Sequence, residues 1–143
     1  MTQKTCFLIG HADAPEEIYP SLLSAVYLHI IQYGITEFFF GNHGNFDHLA
    51  RRALTEAKNH HSQIRRILVL PYHPAQHTIW LPADIDESLY PFDEPVIPRF
   101  AIIKANRKMI DQCDSLIVYA RHPGKARDYL EYAQRKNKNI TRI

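Results

Sequence analysis

Short apolar runs alternate along the chain with longer stretches in which apolar residues recur every three or four positions. The runs are typical of buried β-strands, and they cover residues 5–9, 36–40, 66–70, 115–119 and 139–143. The stretches between them have the period of amphipathic helices, and they run from Ala14 to Gly34 and over residues 46–59, 99–111 and 125–136. This alternation predicts an α/β fold with a mostly parallel sheet of five strands in the order 3-2-1-4-5 and helices on both faces.

Residues 38–51 combine a strand, a glycine-bearing loop and the start of a helix. Three phenylalanines end at Gly41, and a polar loop then leads to Asp47 and the next helical pattern. Backbone N–H groups converge in such a loop at the positive end of the helix, where they can hold a phosphate or a carboxylate. Many α/β proteins make the same turn and bind nothing, so the loop by itself leaves both interpretations open.

Residues 71–98 interrupt the pattern, because they hold six of the nine prolines and the single tryptophan, Trp80, without clear periodicity. A long connection of this kind is most often a lid, a binding loop or an interface arm. It carries five acidic residues and no Lys or Arg, whereas residues 99–143 carry eleven Lys or Arg and four acids. We therefore predict a homodimer or higher oligomer in which the acidic arm meets the partner's basic helix near Arg99, Lys104, Arg107 and Lys108. The alternative is that the arm docks on its own domain.

Composition limits the class of protein. The 143 residues are expected to form a single domain, and Cys6 and Cys113 lack the CxxC spacing of a metal or redox site. The sequence has no N-terminal signal pattern and no apolar run approaching the roughly 18 residues of a membrane span. We expect a cytoplasmic protein without a membrane partner. The net charge is only +2, so we do not expect nucleic acid as a partner.

Candidate binding residues follow the predicted strands, because ligands of open parallel sheets bind outside the carboxyl ends of the strands. Asp47 either caps its helix or points toward sugar hydroxyls. Arg121 and Lys125 follow the fourth strand and would add positive charge for a phosphate. The complete set of predicted ligand-binding residues is Gly10, His11, Gly41, Asn42, Gly44, Asn45, Asp47, Arg107, Arg121, Gly124 and Lys125.

Nine histidines raise the question of a metal site. His43 and His48 flank the loop after the second strand, and His73 and His77 are four residues apart in the proline-rich segment. Neither pair has the helical HExxH pattern or an accompanying cysteine pair, so we predict no metal and no cofactor. The sequence also lacks a GxSxG elbow and a P-loop, which leaves nucleophilic catalysis without a candidate.

An ordered set of motifs carries a resemblance over nearly the whole chain. The set comprises Gly10-His11, GNHGNFDHLA, LVLPY, NRKMIDQCDSLIVY and HPG followed by LEYAQRKNKNI. It resembles the SLOG superfamily of Rossmann-like proteins, which are related to DprA and to the LOG cytokinin-activating phosphoribohydrolases, and in particular the small bacterial members. The resemblance implies a Rossmann-like three-layer sandwich, frequent dimers and a site for a nucleotide or a nucleotide-derived ligand.

Two departures separate the chain from the LOG enzymes. Their Pro-Gly-Gly-x-Gly-Thr-x-x-Glu pattern is reduced here to Pro123-Gly124 with Glu131 at the matching distance, and their catalytic arginine would align on Ala105, two residues before Arg107. We therefore expect a nucleotide-binding module and leave open whether it is an enzyme. One alternative is an N-glycosidic hydrolase of nucleoside monophosphates with Glu131 as its catalytic carboxylate. The other is a pocketless protein-interaction domain.

Overall fold

The computed structural model describes residues 4–76 and 79–143. The strands are β1 (Thr5–Gly10), β2 (Glu37–Phe40), β3 (Arg65–Val69), β4 (Glu87–Leu89), β5 (Ser115–Tyr119) and β6 (Asn139–Arg142). The helices are α1 (Tyr19–Ile31), α2 (Asn45–His60), α3 (Ala101–Gln112) and α4 (Lys125–Arg135), with short 3-10 turns at Glu16–Ile18 and Pro98–Phe100 before α1 and α3.

All six strands form one parallel sheet in the order β4-β3-β2-β1-β5-β6. The α/β class and the relative order of the five predicted strands are confirmed, but the count of five is wrong. The additional strand, Glu87–Leu89, lies within the segment 71–98, which we had predicted to be a loop. It is a three-residue edge strand, too short to show an alternating pattern.

The sheet separates two apolar layers. Neighbouring residues of a strand point to opposite faces, so Leu8 and Phe38 pack on the side of α1 and α2, whereas Phe7 and Phe39 pack on the side of α3 and α4. The strands are therefore apolar on both faces, as expected for a parallel sheet covered by helices. The result is the predicted three-layer arrangement.

Cys6 and Cys113 are free, buried thiols on β1 and directly after α3. Burial raises the pKa of both thiols, which keeps them protonated and unreactive. Within residues 4–76 and 79–143, no helix combines the length and the apolar character that a membrane crossing requires.

Candidate ligand-binding site

A pocket of about 680 Å³ opens at the carboxyl ends of the central strands. It lies beside the boundary between β1 and β5, where the strand order changes direction, which is the usual ligand position of an open parallel sheet. Its walls come from β1 and the following loop, the start of α2, one side of α3 and the start of α4: Phe7, Leu8, Ile9, Gly10, His11, Ala12, Asp13, Gly41, His43, Gly44, Asp47, Ile102, Asn106, His122, Gly124, Lys125, Ala126 and Tyr129.

Close backbone approach shapes the polar side of the pocket. A Cβ atom on Gly44 would lie 2.6 Å from Ala12 Cα, so only glycine lets the loops after β1 and β2 meet. Asn45 joins the same loops, because its backbone N–H donates to Ala12 O at 2.8 Å and its side-chain amide donates to Ala14 O. The Asn45 side chain is thus a structural link between the loops.

His11 connects the loop after β1 to the loop after β5. Its Nε2 atom accepts hydrogen bonds from the backbone N–H groups of Arg121 at 2.9 Å and His122 at 3.2 Å. A ring nitrogen that accepts carries no proton, so the proton of the neutral imidazole lies on Nδ1. Burial and the neighbouring His122 lower the pKa of His11, which favours this neutral form.

His122 and Asp13 form the rim of the pocket beside His11. The two imidazole rings stack with a centroid distance of 3.6 Å, and His122 Nε2 lies 3.2 Å from Asp13 Oδ1. Hydrogen bonds to Pro123 O and to Asp13 raise the pKa of His122. One stacked pair therefore combines a histidine that favours the neutral form with one that favours the charged form.

Asp47 organises the loop before α2. Its Oδ2 atom accepts a hydrogen bond from the backbone N–H of His43 at 2.9 Å. Burial raises the pKa of Asp47, although the hydrogen bonds from the backbone of His43 and Gly41 oppose that effect. Asp47 is the third residue of α2, whose N-cap is Gly44, so it holds an N–H of the preceding loop and does not act as the N-cap of the helix. Its contact with sugar hydroxyls stays a prediction.

The N-terminus of α4 faces the pocket without a side-chain cap. Gly124 is its N-cap residue and has φ 149°, a backbone angle that side chains other than glycine rarely tolerate. The N–H groups of the first helical turn have no partner within the helix, and the helix dipole gives this end a partial positive charge. Gly124, Lys125 and Ala126 of this turn all line the pocket.

The opposite side of the pocket is mostly apolar. Phe7 and Ile9 of β1 face Ile102 of α3 and Ala126 of α4 across the opening. The polar groups on this side are the Asn106 side chain and the buried Tyr129 hydroxyl, which interacts with Asn106. This side suits a flat ring with a polar edge.

A metal ion fits the cluster of His11, Asp13 and His122 poorly. One possible ligand atom from each residue lies within 4.8 Å of the others. Nitrogen ligands need a free lone pair, but the Nε2 lone pair of His11 already accepts two backbone hydrogen bonds and its Nδ1 carries the proton. Of the other histidines considered, His43 lines the pocket and His48 lies beside a smaller cavity. His73 Nδ1 accepts a hydrogen bond from Ala75 N at 3.0 Å, and His77 is outside the described residues.

The structure brings together many of the residues predicted from the sequence. Seven of them line the pocket: Gly10, His11, Gly41, Gly44, Asp47, Gly124 and Lys125. Five others do not: Asn42, Asn45, Arg107, Arg121 and Glu131.

The residues outside the pocket have other surroundings. Asn42 lines two smaller cavities, and the Arg107 guanidinium lies 5.1 Å from the centre of the Tyr132 ring. The Arg121 side chain donates to Ile143 O at 3.3 Å, whereas its backbone N–H donates to His11. Glu131 is exposed on α4. Whether any of these side chains binds a ligand stays a prediction.

Sequence reasoning missed Asp13, Ile102, Asn106, His122 and Tyr129. His122 and Asp13 lie next to strand ends that had been singled out, so the strand-end rule could have included them. Ile102, Asn106 and Tyr129 lie on helices. The spacing of apolar residues predicts which face of a helix is buried, but it does not predict that a cavity lies beside that face.

We expect the stability contributed by His11 and His29 to decline as the pH falls below about 6.5, the value at which histidines of the unfolded chain take up protons. Burial lowers the pKa of both His11 and His29, so the folded state resists protonation at these positions while the unfolded state accepts it. Their contribution is complete above that pH and is lost as the pH falls toward the folded pKa values. Urea midpoints measured at several pH values test this.

The fully buried His29 offers the matched comparison, because its Nδ1 bonds to Ala25 O at 2.8 Å. Replacing it by glutamine should reduce the loss of stability between neutral and mildly acid pH, whereas the same change at the exposed His48 should not. An unchanged pH profile in His29→Gln would contradict the assignment.

Comparison with solved structures identifies the type of fold. No family model and no curated protein matches the sequence. Similar solved structures include DNA processing protein A (DprA) from Streptococcus pneumoniae, with a TM-score of 0.69 and 16% identity over 99% of this chain and 50% of that one. DprA from Helicobacter pylori, described for its single-stranded DNA binding mode, has a TM-score of 0.63 and 17% identity over 99% of this chain and 65% of that one.

The Moco carrier protein from Chlamydomonas reinhardtii is a third similar structure, with a TM-score of 0.62 and 17% identity over 99% of this chain and 76% of that one. The chain thus spans between half and two thirds of the length of the two DprA structures. The expectation against a nucleic-acid partner is wrong, because one protein of this fold is described as binding single-stranded DNA. Net charge averages over the whole surface and does not report a local groove. The chain has the Rossmann-type fold of SLOG and DprA-like proteins.

Proposed function

We propose that this protein binds a nucleotide or a nucleotide-derived small molecule at the carboxyl ends of its strands, as a sensor or binding module. The observation that carries the proposal is the composition of the pocket. A single opening joins an uncapped helix N-terminus to an apolar cleft with a polar edge. Binding sites commonly combine apolar walls with a few polar groups that fix orientation.

The helix end of the pocket suits the phosphate. The first-turn N–H groups of α4 are free to donate, and the ammonium group of Lys125 stands at the same turn. Backbone donors at a helix N-terminus and a nearby cation are the usual partners of a phosphate.

The cleft between α3 and α4 suits the base. The partly exposed Ile102 offers apolar surface to one face of a ring, and the Asn106 amide can both donate to and accept from its edge. Asp13 of the loop after β1 lines the pocket, and its exposed carboxylate can accept from sugar hydroxyls. Two similar structures are also named for molecules they bind or carry, single-stranded DNA and Moco.

Neither alternative function gains support from the pocket. A cavity of about 680 Å³ with polar lining argues against a pocketless interaction domain. An N-glycosidic hydrolase needs a carboxylate that reaches the sugar, and the exposed Glu131 is not among the lining residues. The carboxylates that line the pocket belong to Asp13 and Asp47.

We expect adenosine monophosphate to raise the melting temperature of the protein. Ligand at a hundredfold excess over its Kd stabilises the folded state by about 2.7 kcal/mol, which corresponds to a shift of several degrees. Ile102→Trp should fill the cleft and abolish this shift, because the ring then occupies the place of the base. Lys104→Trp is the matched control, since Lys104 is exposed on the same helix and does not line the pocket.

Thermal-shift assays measure this change in melting temperature with nucleoside monophosphates, nucleosides and inorganic phosphate. Calorimetry then confirms binding. No response of the wild-type protein to any of these at millimolar concentration would overturn the proposal. An equal response in both tryptophan variants and the wild type would place the ligand elsewhere.

A further inference from the structure

We infer that His11 donates its Nδ1–H to an oxyanion of the ligand that is seated on the N-terminus of α4. This inference rests on the proposed function and deepens it, because it names the group that recognises the anion and the class of ligand that the site selects. The first step is the state of the ring. Two backbone N–H groups donate to Nε2, so the neutral imidazole has only one tautomer available, with the proton on Nδ1.

The second step is that this donor has no partner. His11 is 4% exposed, and no hydrogen bond to its Nδ1 atom occurs within residues 4–76 and 79–143. Within the described residues the buried side-chain atoms without a hydrogen bond of ordinary geometry are Arg127 Nε and Tyr129 OH, so His11 Nδ1 is still reached from the open pocket. A ligand atom can therefore accept from Nδ1 in place of water.

The third step is the position of Nδ1. The space that a Cβ atom on Gly124 would take lies 4.0 Å from His11 Nδ1 and 3.9 Å from Cε1, so this edge of the ring faces the N-cap residue of α4. The helix begins there with N–H groups that have no partner inside it. One anionic oxygen in front of Gly124 can therefore accept from the histidine and from the helix together.

The charges around the pocket set the class of anion. The carboxylates of Asp13 and Asp47 stand against the cation of Lys125 and the histidine His122, whose pKa is raised, and the charge of Arg127 acts on both His11 and His122. One phosphate or carboxylate balances this small excess of positive charge, whereas each added phosphate brings further negative charge toward the two carboxylates. The site selects a ligand with one phosphate or one carboxylate, such as a nucleoside monophosphate, over a di- or triphosphate.

Two substitutions separate the structural role of His11 from its binding role. In His11→Gln the side-chain oxygen can take the place of Nε2 and accept from the backbone of Arg121 and His122, but the Nδ1–H donor is lost. This variant should keep the two backbone hydrogen bonds and lose only the stability of the ring stacking on His122. It should bind adenosine monophosphate about tenfold more weakly or worse, and bind adenosine as before. His11→Asn keeps an amide donor near the position of Nδ1 and loses the acceptor, so it should be less stable than His11→Gln.

Titration calorimetry with adenosine, its mono-, di- and triphosphates, and a carboxylate analogue of the monophosphate provides the affinities. Equal monophosphate affinity in wild type and His11→Gln would overturn the inference while leaving the proposed function intact, and so would a preference for the triphosphate. Tighter binding of the carboxylate analogue than of the phosphate would identify a carboxylate as the preferred oxyanion and support the role of His11. Absence of binding in the wild type would instead overturn the proposed function.

Imidazole nitrogen chemical shifts of the wild-type protein give a readout that does not depend on the variants folding. They should show a protonated Nδ1 and an unprotonated Nε2 at His11, with the Nδ1 signal moving on addition of the monophosphate. A proton on Nε2, or a His11 Nδ1 chemical shift that does not change when the monophosphate is added, would overturn the inference.

Discussion

Replacing Asp86 by alanine is expected to destabilise the fold by roughly 3 kcal/mol, at the lower end of the cost of breaking a buried ion pair. Burial would raise the pKa of Asp86, but its hydrogen bonds with Arg66 and Lys58 outweigh burial and hold the pKa well below its usual range. Asp86 Oδ2 accepts from Arg66 N at 2.7 Å, from Arg66 Nε at 3.1 Å and from Lys58 Nζ at 3.2 Å. The Arg66 side chain is only 9% exposed. In Asp86→Ala its positive charge would therefore stay buried without a carboxylate, at a position that water hydrates poorly.

Urea unfolding measures this prediction, and Asp84 provides the control. Asp84 bonds Arg51 at 2.6 Å, but both side chains are about one third exposed, so Asp84→Ala should cost less than about 1 kcal/mol. Joining Asp86→Ala with Arg66→Met should recover part of the loss, because the unpaired charge is removed as well. Equal costs for the two aspartates would contradict the role given to burial.

The ion pair of Asp86 and Arg66 also predicts how the stability of the fold depends on pH. The pKa of Asp86 is lowered on folding, so its contribution is present above about pH 3.9, the unfolded value, and is lost as the pH falls through the folded value. The Asp86 contribution therefore survives at pH 5, whereas the contributions of His11 and His29 are already declining there.

This ion pair also shows why the segment 71–98 was predicted incompletely. Its acids were expected to meet a basic helix around Arg99 and Arg107, but three of them bond to cations of α2 and β3 in the same chain: Asp84 to Arg51, Asp86 to Arg66 and Lys58, and Glu87 to Arg65. Charge composition shows that a segment needs cations but not which ones lie near it. These contacts hold β4 against the edge of the sheet.

The aromatic residues of the segment 71–98 lie in two different environments. Phe92 packs on the layer of α3 and α4 and contacts Tyr90, as the alternative of docking on its own domain requires. Trp80 is 91% exposed. The homodimer stays a prediction, and Trp80 is the residue of this arm with the most surface to bury in one.

The elements of the fold could be predicted because period and apolar content are local properties. Phe38 to Phe40, Gly41 and the face of α2 are visible in consecutive letters of the sequence. Of the residues that line the pocket, the sequence predicts those in the loops after strands, such as His11 and Gly124, because ligands bind at the carboxyl ends of parallel strands. The bond from the Arg121 backbone to His11 joins residues 110 positions apart, and no local pattern reports it.

Substituting alanine for Gly10 is expected to destabilise the fold by roughly 1–3 kcal/mol, the usual cost of overpacking a core. A Cβ atom at this position would lie 2.5 Å from two atoms of the Phe46 ring, which is itself 1% exposed and stacked at 6.4 Å on Tyr119. The ring therefore cannot move away without disturbing the strand below it. Because Gly10 and Phe46 both adjoin the pocket loops, ligand binding should weaken as well.

A double-mutant cycle with Phe46→Ala isolates that contact. Phe46→Ala alone removes a buried ring and should cost about 3–5 kcal/mol. In the double variant the methyl group introduced by Gly10→Ala meets no ring, so the total cost should fall below the sum of the two single costs by about 1 kcal/mol or more. Urea midpoints of the four proteins give this coupling energy. Costs that add to within about 0.5 kcal/mol would mean that the introduced methyl group strains something other than Phe46, and the steric explanation of Gly10 would have to be abandoned.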